Sequence, residues 1–228
     1  MTENNGKMGL VHIYTGDGKG KTTAAIGLAV RAAGAGKKVV FAQFMKGSDT
    51  SELKSLSSIE GITIVRSSED LGWFNADDKE QAARYTEVHN RILDEVETLI
   101  MNGQCDVLIL DEATYPYNYG IIDKERLENL FETYVATEQE AGENVDRNSV
   151  QGGKISYDEA QTDKVSENIA KKSLTCDNAV KVISDIEIVV TGRNADSFFV
   201  ERADYITEMR KVRHPFDQGI QARLGIEY

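Results

Sequence analysis

The chain has 228 residues, 40% of them hydrophobic, with two cysteines and a formal net charge of −12. That length and apolar content suffice for a full core in one α/β domain, and an isoelectric point of about 4.8 argues against a surface that tracks nucleic-acid phosphates. Cys105 and Cys176 form no C-x-x-C, no apolar run approaches the roughly 18 residues of a membrane span, and Met1–Gly9 lacks an apolar signal core, so a soluble, unprocessed, cytoplasmic protein is expected.

Leu10–Thr15 reads as a buried strand, Gly16–Gly20 interrupts it, and a small-residue helix runs from Lys21 to Gly34. Converging backbone N–H groups at the glycines, the positive end of the helix, the Lys21 ammonium and the Thr22 hydroxyl together predict a phosphate-binding loop with Mg²⁺ at Thr22. The first glycine position of G-x-x-x-x-G-K-[ST] is Thr15, so the loop is a variant.

Lys37–Phe44 and Ile62–Arg66 are expected as the second and third strands, each followed by a loop, over Met45–Asp49 and Ser67–Asp78. The second of these loops carries Trp73 and Phe74 side by side, and the chain has no other tryptophan. Asp77 or Asp78 then caps a long helix to about Met101 with Tyr85, Val88, Ile92, Val96 and Leu99 as its buried stripe. His89 lies one position off that stripe and reads as a surface or boundary residue, not a ligand.

Asp106–Leu110 is a near-continuous apolar strand ending in Asp111-Glu112, the position at which parallel sheets deliver carboxylates to a ligand crevice. Thr114–Ile122 holds three tyrosines, readable as loop packing or as a ligand wall. A short helix over Asp123–Tyr134 leads into Ala136–Ala179, an acidic stretch poor in large apolar residues, expected as a surface insertion with a partly formed helix near Asp158–Lys172, either mobile or folded by a partner. A strand at Ile186–Thr191, a helix at Ala195–Ala203 and a strand at Tyr205–Met209 complete the domain. The tail gathers Arg210, Lys211, Arg213, His214 and Arg223 in an otherwise acidic chain, which reads as a local anion site or as a solvated terminal helix.

Five blocks taken together resemble one family: TGDGKGKTTAA at Thr15–Ala25, RAAGAGKKVVFAQFMKG at Arg31–Gly47, LDEATYPYNYG at Leu110–Gly120, VVTGR at Val189–Arg193, and MRKVRHPFDQGIQARLGIEY at Met209–Tyr228. They are similar, in order and over nearly the whole chain, to the ATP:corrinoid adenosyltransferases of the BtuR/CobA/CobO type. The resemblance implies a homodimeric P-loop protein of RecA-like α/β architecture, with a mostly parallel sheet flanked by helices, that moves the 5′-deoxyadenosyl group of ATP to the Co(I) of a reduced corrinoid such as cob(I)alamin. Triphosphate leaves whole, and ATP sits with its phosphates reversed relative to ordinary P-loop ATPases, which suits attack at C5′.

By matched position, the resemblance assigns Gly16, Asp17, Gly18, Lys19, Gly20, Lys21, Thr22 and Thr23 to ATP. It gives Mg²⁺ to Thr22, Asp111 and Glu112, with the inner-sphere carboxylate left open, and makes Arg193 and His214 supports of the substrate site. It implies no catalytic general base, because Co(I) is itself the nucleophile. In the family, aromatic side chains before the long helix displace the lower axial ligand of cobalt; here the aromatic-x-Trp order is replaced by Trp73-Phe74, the candidates to face the corrinoid. An external reductase, a flavoprotein, is implied, with neither nucleic acid nor membrane as a partner. Two departures are expected: the insertion at 136–179 within a single domain spanning 1–228, and no N-terminal segment long enough to cap the corrinoid. The rival readings are a P-loop ATPase or phosphotransferase and a non-catalytic ATP- or corrinoid-binding regulator.

Overall fold

A computed structural model describes residues 9–48, 50–134 and 186–226. The expected insertion at 136–179, its helix near Asp158–Lys172, and Cys176 lie outside them. Six strands form one sheet in the order β3-β2-β4-β5-β1-β6: β1 Val11–Thr15, β2 Val39–Gln43, β3 Ile62–Arg66, β4 Val107–Asp111, β5 Glu187–Thr191 and β6 Tyr205–Glu208. All five pairings are parallel, so the expectation of a mostly parallel sheet is met in full. Every strand therefore ends on the same edge, and the last residues of β1, β2, β4 and β5 become neighbours however far apart they stand in sequence.

The helices are α1 Lys21–Gly34, α2 Ser51–Leu56, α3 Lys79–Met101, α4 Thr114–Tyr119, α5 Lys124–Tyr134 and α6 Ser197–Arg202. β2 and β4 are buried along their whole length, as their unbroken apolar sequence requires of strands covered on both faces. One face of the sheet, through Ile13, Val40, Leu108 and Val190, packs on α3, α5 and α6; the other, through Phe41, Ile109 and Val189, packs on Ala25 and Ala29 of α1. Alanines there let α1 lie close to the sheet and hold the loop before it at the strand ends. None of the described helices is long and apolar enough to cross a membrane.

Asp78 caps α3, its carboxylate accepting from the Gln81 N–H at 3.0 Å. The buried face of α3 is wider than the expected stripe and includes His89, Leu93 and Ile100, with Leu99 at its margin. His89 is thus corrected from a boundary residue to a core one, 1% exposed. Two further differences concern loops. α2 lies beyond the loop expected at Met45–Asp49, in a stretch for which no element was expected, and Thr114–Tyr119 is helical, with Pro116 in the first turn where a missing N–H costs nothing.

Candidate functional site

β1 ends at Thr15, and the chain turns through Gly16 and Gly20, both in the left-handed region at φ +98° and +115°. Gly20 precedes α1 without any side-chain cap, so the first N–H groups of that helix have no side-chain acceptor. Lys21 folds over the loop, its Nζ donating to the carbonyls of Gly16 and Gly18 at 2.8 Å each. Burial lowers its pKa, and the Arg193 guanidinium lowers it further, while Glu112, Asp17 and Asp111 act the other way. The ammonium is thus weakly solvated and held by two neutral carbonyls that an anion can replace.

The tail is part of this loop. Met209 donates its N–H to the Thr15 carbonyl at 2.8 Å and accepts from the Gly18 N–H at 2.6 Å, and Asp17 accepts from the Lys211 N–H at 2.9 Å. A Cβ at Gly16 or Gly18 would stand 2.5 or 2.6 Å from the Met209 carbonyl oxygen. These two glycines are therefore required by the approach of the tail as well as by any ligand, a second use that the motif did not reveal. Farther on, His214 accepts from the Phe216 N–H at 3.2 Å through Nδ1 and so starts the 3₁₀ turn Pro215–Gln218.

Asp111, at the end of β4, is fully buried. Its Oδ1 accepts from the Thr191 hydroxyl at 2.7 Å, and its Oδ2 from Gln43 Nε2 and Lys46 Nζ at 3.3 Å each. Thr191 Oγ1 also accepts from the Glu112 N–H at 3.0 Å, fixing the left-handed Glu112 (φ +62°). Burial raises the Glu112 pKa, against which the Lys46 charge works. Gly192 admits Thr114, whose Oγ1 would clash with an added Cβ and donates to the Arg193 carbonyl at 2.9 Å. The ends of β4 and β5 are thereby joined, with the exposed Arg193 beside Lys21 and Glu112. Gln43, Lys46 and Thr191 were not among the expected site residues. Lys46 was visible in its block, but only the parallel register brings β2 and β5 against β4.

The described residues contain no group of three or more His, Cys, Asp or Glu placed to hold a metal by themselves. Two carboxylates and the Thr22 hydroxyl are hard oxygen donors, a set that fits Mg²⁺ completed by phosphate oxygens and water.

Beside Asp111 opens a cavity of about 370 Å³, lined by Gln43, Met45, Lys46, Trp73, Tyr85 and His89 among others. Trp73 and Phe74 differ sharply. Trp73 is 97% exposed, whereas the Phe74 ring packs on Tyr85 and Tyr119 at centroid distances of 5.4 and 4.9 Å. The Tyr85 hydroxyl donates to the Gly72 carbonyl at 2.7 Å and holds the loop under them. Of the three tyrosines, Tyr117 is core, stacked on Phe198, while Tyr115 and Tyr119 lie on the side of Glu112 and Phe74.

His89 stabilises this wall from within. Its Nδ1 donates to the Ile121 carbonyl at 2.8 Å and its Nε2 accepts from the Met45 N–H at 3.4 Å, which makes it the neutral tautomer behind the left-handed Met45 (φ +57°). Burial lowers its pKa from 6.5 to about 4. The unfolded chain takes up this proton near pH 6.5 and the folded chain only near 4, so stability is full above 6.5 and falls as the pH drops through that window. The expected loss is on the order of 3 kcal/mol. Urea titrations at about pH 7 and pH 4.5 measure it, and His89→Gln is expected to flatten the dependence.

A family model described as "ATP:corrinoid adenosyltransferase BtuR/CobO/CobP" matches residues 7–141 and 135–228. The chain is similar to a corrinoid adenosyltransferase of Escherichia coli (strain K12), 26% identical over 220 residues, covering 96% of this chain and 86% of that protein. It is likewise similar to the corrinoid adenosyltransferase CobA of Salmonella typhimurium (strain LT2), 26% identical over 222 residues with the same coverage. A corrinoid adenosyltransferase of Pseudomonas aeruginosa is 25% identical over 229 residues, covering 96% of this chain and 84% of that protein.

Proposed function

The chain belongs to the BtuR/CobO/CobP family of ATP:corrinoid adenosyltransferases, and from that premise we propose that the loop at Gly16–Thr23, the carboxylates Asp111 and Glu112 and the neighbouring cavity form the site of adenosyl transfer to a reduced corrinoid. The observation that carries this reading is the closure of the Met209–Lys211 backbone on the phosphate loop, because it joins the variant nucleotide loop and the C-terminal block of the family resemblance into one site.

In the reaction, the electron pair of Co(I) attacks C5′ of ATP; the Co–C bond forms as the C5′–O bond breaks, and the pair from that bond leaves with triphosphate. No proton moves, so no general base is needed. Lys21 leaves its carbonyl partners for the triphosphate, and Arg193, together with the N–H groups opening α1, adds positive potential where charge develops on the leaving oxygen. Thr22, Asp111 and Glu112 would hold Mg²⁺, which offsets phosphate charge when bound. The rest is placement: the loop fixes C5′ and the cavity wall fixes the corrinoid at reacting distance. Trp73, exposed, and Phe74, anchored on Tyr85 and Tyr119, are the side chains that would face the corrinoid from the loop before α3, and His214, which opens the 3₁₀ turn of the tail, would support the substrate site.

The electron that generates Co(I) comes from an external flavoprotein reductase in the cytoplasm. The working form is a homodimer, a reading supported by the exposed apolar side chains of β6 and the tail, among them Tyr205, Ile206 and Phe216.

The test is anaerobic incubation with MgATP and chemically reduced cob(I)alamin, following the visible spectrum for the Co–C bond and the phosphate products. A Co–C product with intact triphosphate is expected; ADP formed at a rate indifferent to corrinoid would replace this reading with an ATPase. Thr191 supplies a second prediction. Thr191→Val removes the hydrogen bonds to Asp111 and Glu112, and the Mg²⁺ concentration giving half-maximal rate is expected to rise about 10-fold, read by Mg²⁺ titration at saturating ATP.

A further inference from the structure

Asp111 is one of the two carboxylates of the proposed metal site, yet its side chain has no exposed surface. Three side chains are hydrogen-bonded to it: the Thr191 hydroxyl on Oδ1 at 2.7 Å, and Gln43 Nε2 and Lys46 Nζ on Oδ2 at 3.3 Å each. Thr191 and Gln43 are fully buried residues of the strands flanking β4, so neither moves aside without opening the sheet. Lys46 differs. It stands beyond the end of β2, its side chain is 26% exposed, and it lines the cavity beside Asp111. Of the three, only Lys46 can clear a way to the carboxylate.

The main chain at Lys46 is fixed, which leaves the side chain as the moving part. Met45, left-handed at φ +57°, donates its N–H to His89 Nε2 at 3.4 Å. Arg66, the last residue of β3 and in register with Gln43, donates from Nη2 to the Lys46 and Ser48 carbonyls at 3.2 and 2.8 Å. Its Nε–H is buried without a partner among the described residues, so this guanidinium serves the backbone and has no exposed Nε–H to offer a ligand. Gly47 lies against the Glu69 carbonyl, where an added Cβ would clash. The cations that act on Glu112 are Lys46, Lys21 and Arg193, with Lys46 the strongest.

An ammonium on a buried carboxylate and a divalent cation on the same carboxylate exclude each other, since like charges so close repel strongly where water is scarce. The cavity compensates an expelled Lys46 poorly: Glu69 is engaged by Arg84 and Arg91 at 2.8 and 2.7 Å, and Asp70 accepts from the Gly72 N–H at 3.0 Å. A metal carried by triphosphate is another matter, because the complex is negative and attracts the ammonium. We propose that Lys46 masks the metal site: it keeps free divalent cations off Asp111 and Glu112 and yields to a metal that arrives on the nucleotide, whose phosphates give it another partner. This rests on the reading of Asp111 and Glu112 as metal carboxylates, and it makes Lys46 a positioning residue that ties metal entry to nucleotide entry.

The experiment uses Mn²⁺ as the probe and water-proton relaxation as the readout, which rises when the ion passes from water or free ATP to the slowly tumbling protein. Without nucleotide, Lys46→Met is expected to bind Mn²⁺ about 10-fold or more tightly than the wild-type protein, and Lys46→Arg, which keeps the charge, is expected to match the wild type. With ATP present, the wild-type protein takes up Mn²⁺ and the advantage of Lys46→Met is lost. Equal affinities of wild type and Lys46→Met without nucleotide overturn the inference. An equal gain in Lys21→Ala does so too, because it assigns the effect to the summed charge around Asp111 and Glu112. Should Lys46→Met fail to fold, Lys46→Gln, which removes the charge and keeps a polar end for Asp111, takes its place with the same expectations. If ATP brings Mn²⁺ to none of these proteins, the metal reading itself falls and the inference with it; if it does and only the nucleotide-free comparison fails, the metal reading stands.

Discussion

Replacing Lys21 by alanine is expected to lower kcat/KM for Co–C bond formation by about 10²–10³, the usual loss when one preorganised charge facing a leaving group is removed. Lys21 is suited to that role because burial has already stripped part of its hydration, and its partners are two carbonyls at 2.8 Å with no charge to surrender. Exchanging them for triphosphate therefore costs little, and the interaction grows as negative charge collects on the leaving oxygen. Single-turnover measurements with pre-reduced corrinoid isolate this step from electron delivery. Folding is expected to survive, because Lys21 and Gly16 are only partly buried, so water can take the place of the ammonium. A loss below 10-fold would move the catalytic charge elsewhere, with Arg193 next to be tested.

Gly18→Ala is expected to destabilise the protein by about 2–4 kcal/mol and to free the tail. The added methyl would lie 2.6 Å from the Met209 carbonyl oxygen and 2.8 Å from backbone carbons of Met209 and Arg210, none of which can swing away like a side-chain end. The Gly18 N–H to Met209 bond and the Asp17–Lys211 bond depend on that same approach. Urea denaturation gives the stability, and limited proteolysis after Arg210, Lys211 or Arg213 reports release of the tail. Gly27→Ala is the control. Gly27 lies inside α1 with nothing within 4 Å of a Cβ, so alanine there is expected to stabilise by about 0.5–1 kcal/mol. Opposite signs for two glycines ten residues or fewer apart would separate close approach from backbone freedom.

The frame of the domain was legible because its signals are local. Runs such as Val107–Leu110 have no polar alternation and can only be central strands; Asp78 ahead of an apolar stripe caps α3 as its side chain dictates; Lys21 and Thr22 follow a strand and open a helix. What escaped depends on neighbours distant in sequence. His89 reads as a margin residue when α3 is judged by one stripe, but a helix covered by both the sheet and the α4–α5 segment buries a broader arc, and a histidine at its centre is paired at both nitrogens. Gln43 and Thr191 are ordinary strand residues until parallel register sets them on either side of Asp111. The double duty of Gly16 and Gly18 is hidden for the same reason: a phosphate-loop motif already explains a glycine, so nothing in the string asks what else approaches it.

The order of strands also sets the order of assembly. Of the six described strands, β1, which leads into the Gly16–Gly20 turn, comes first in sequence, yet its partners in the sheet are β5 and β6, which come last among them. During synthesis β2, β3 and β4 have one another to pair with, while β1 waits for nearly the whole chain to follow it. Contacts of such sequence separation close slowly, and the loop takes its shape only when Met209 arrives beyond β6. A chain cut short of Met209 keeps every residue of the Gly16–Thr23 loop but loses the two backbone hydrogen bonds by which Met209 holds its Thr15 and Gly18 ends.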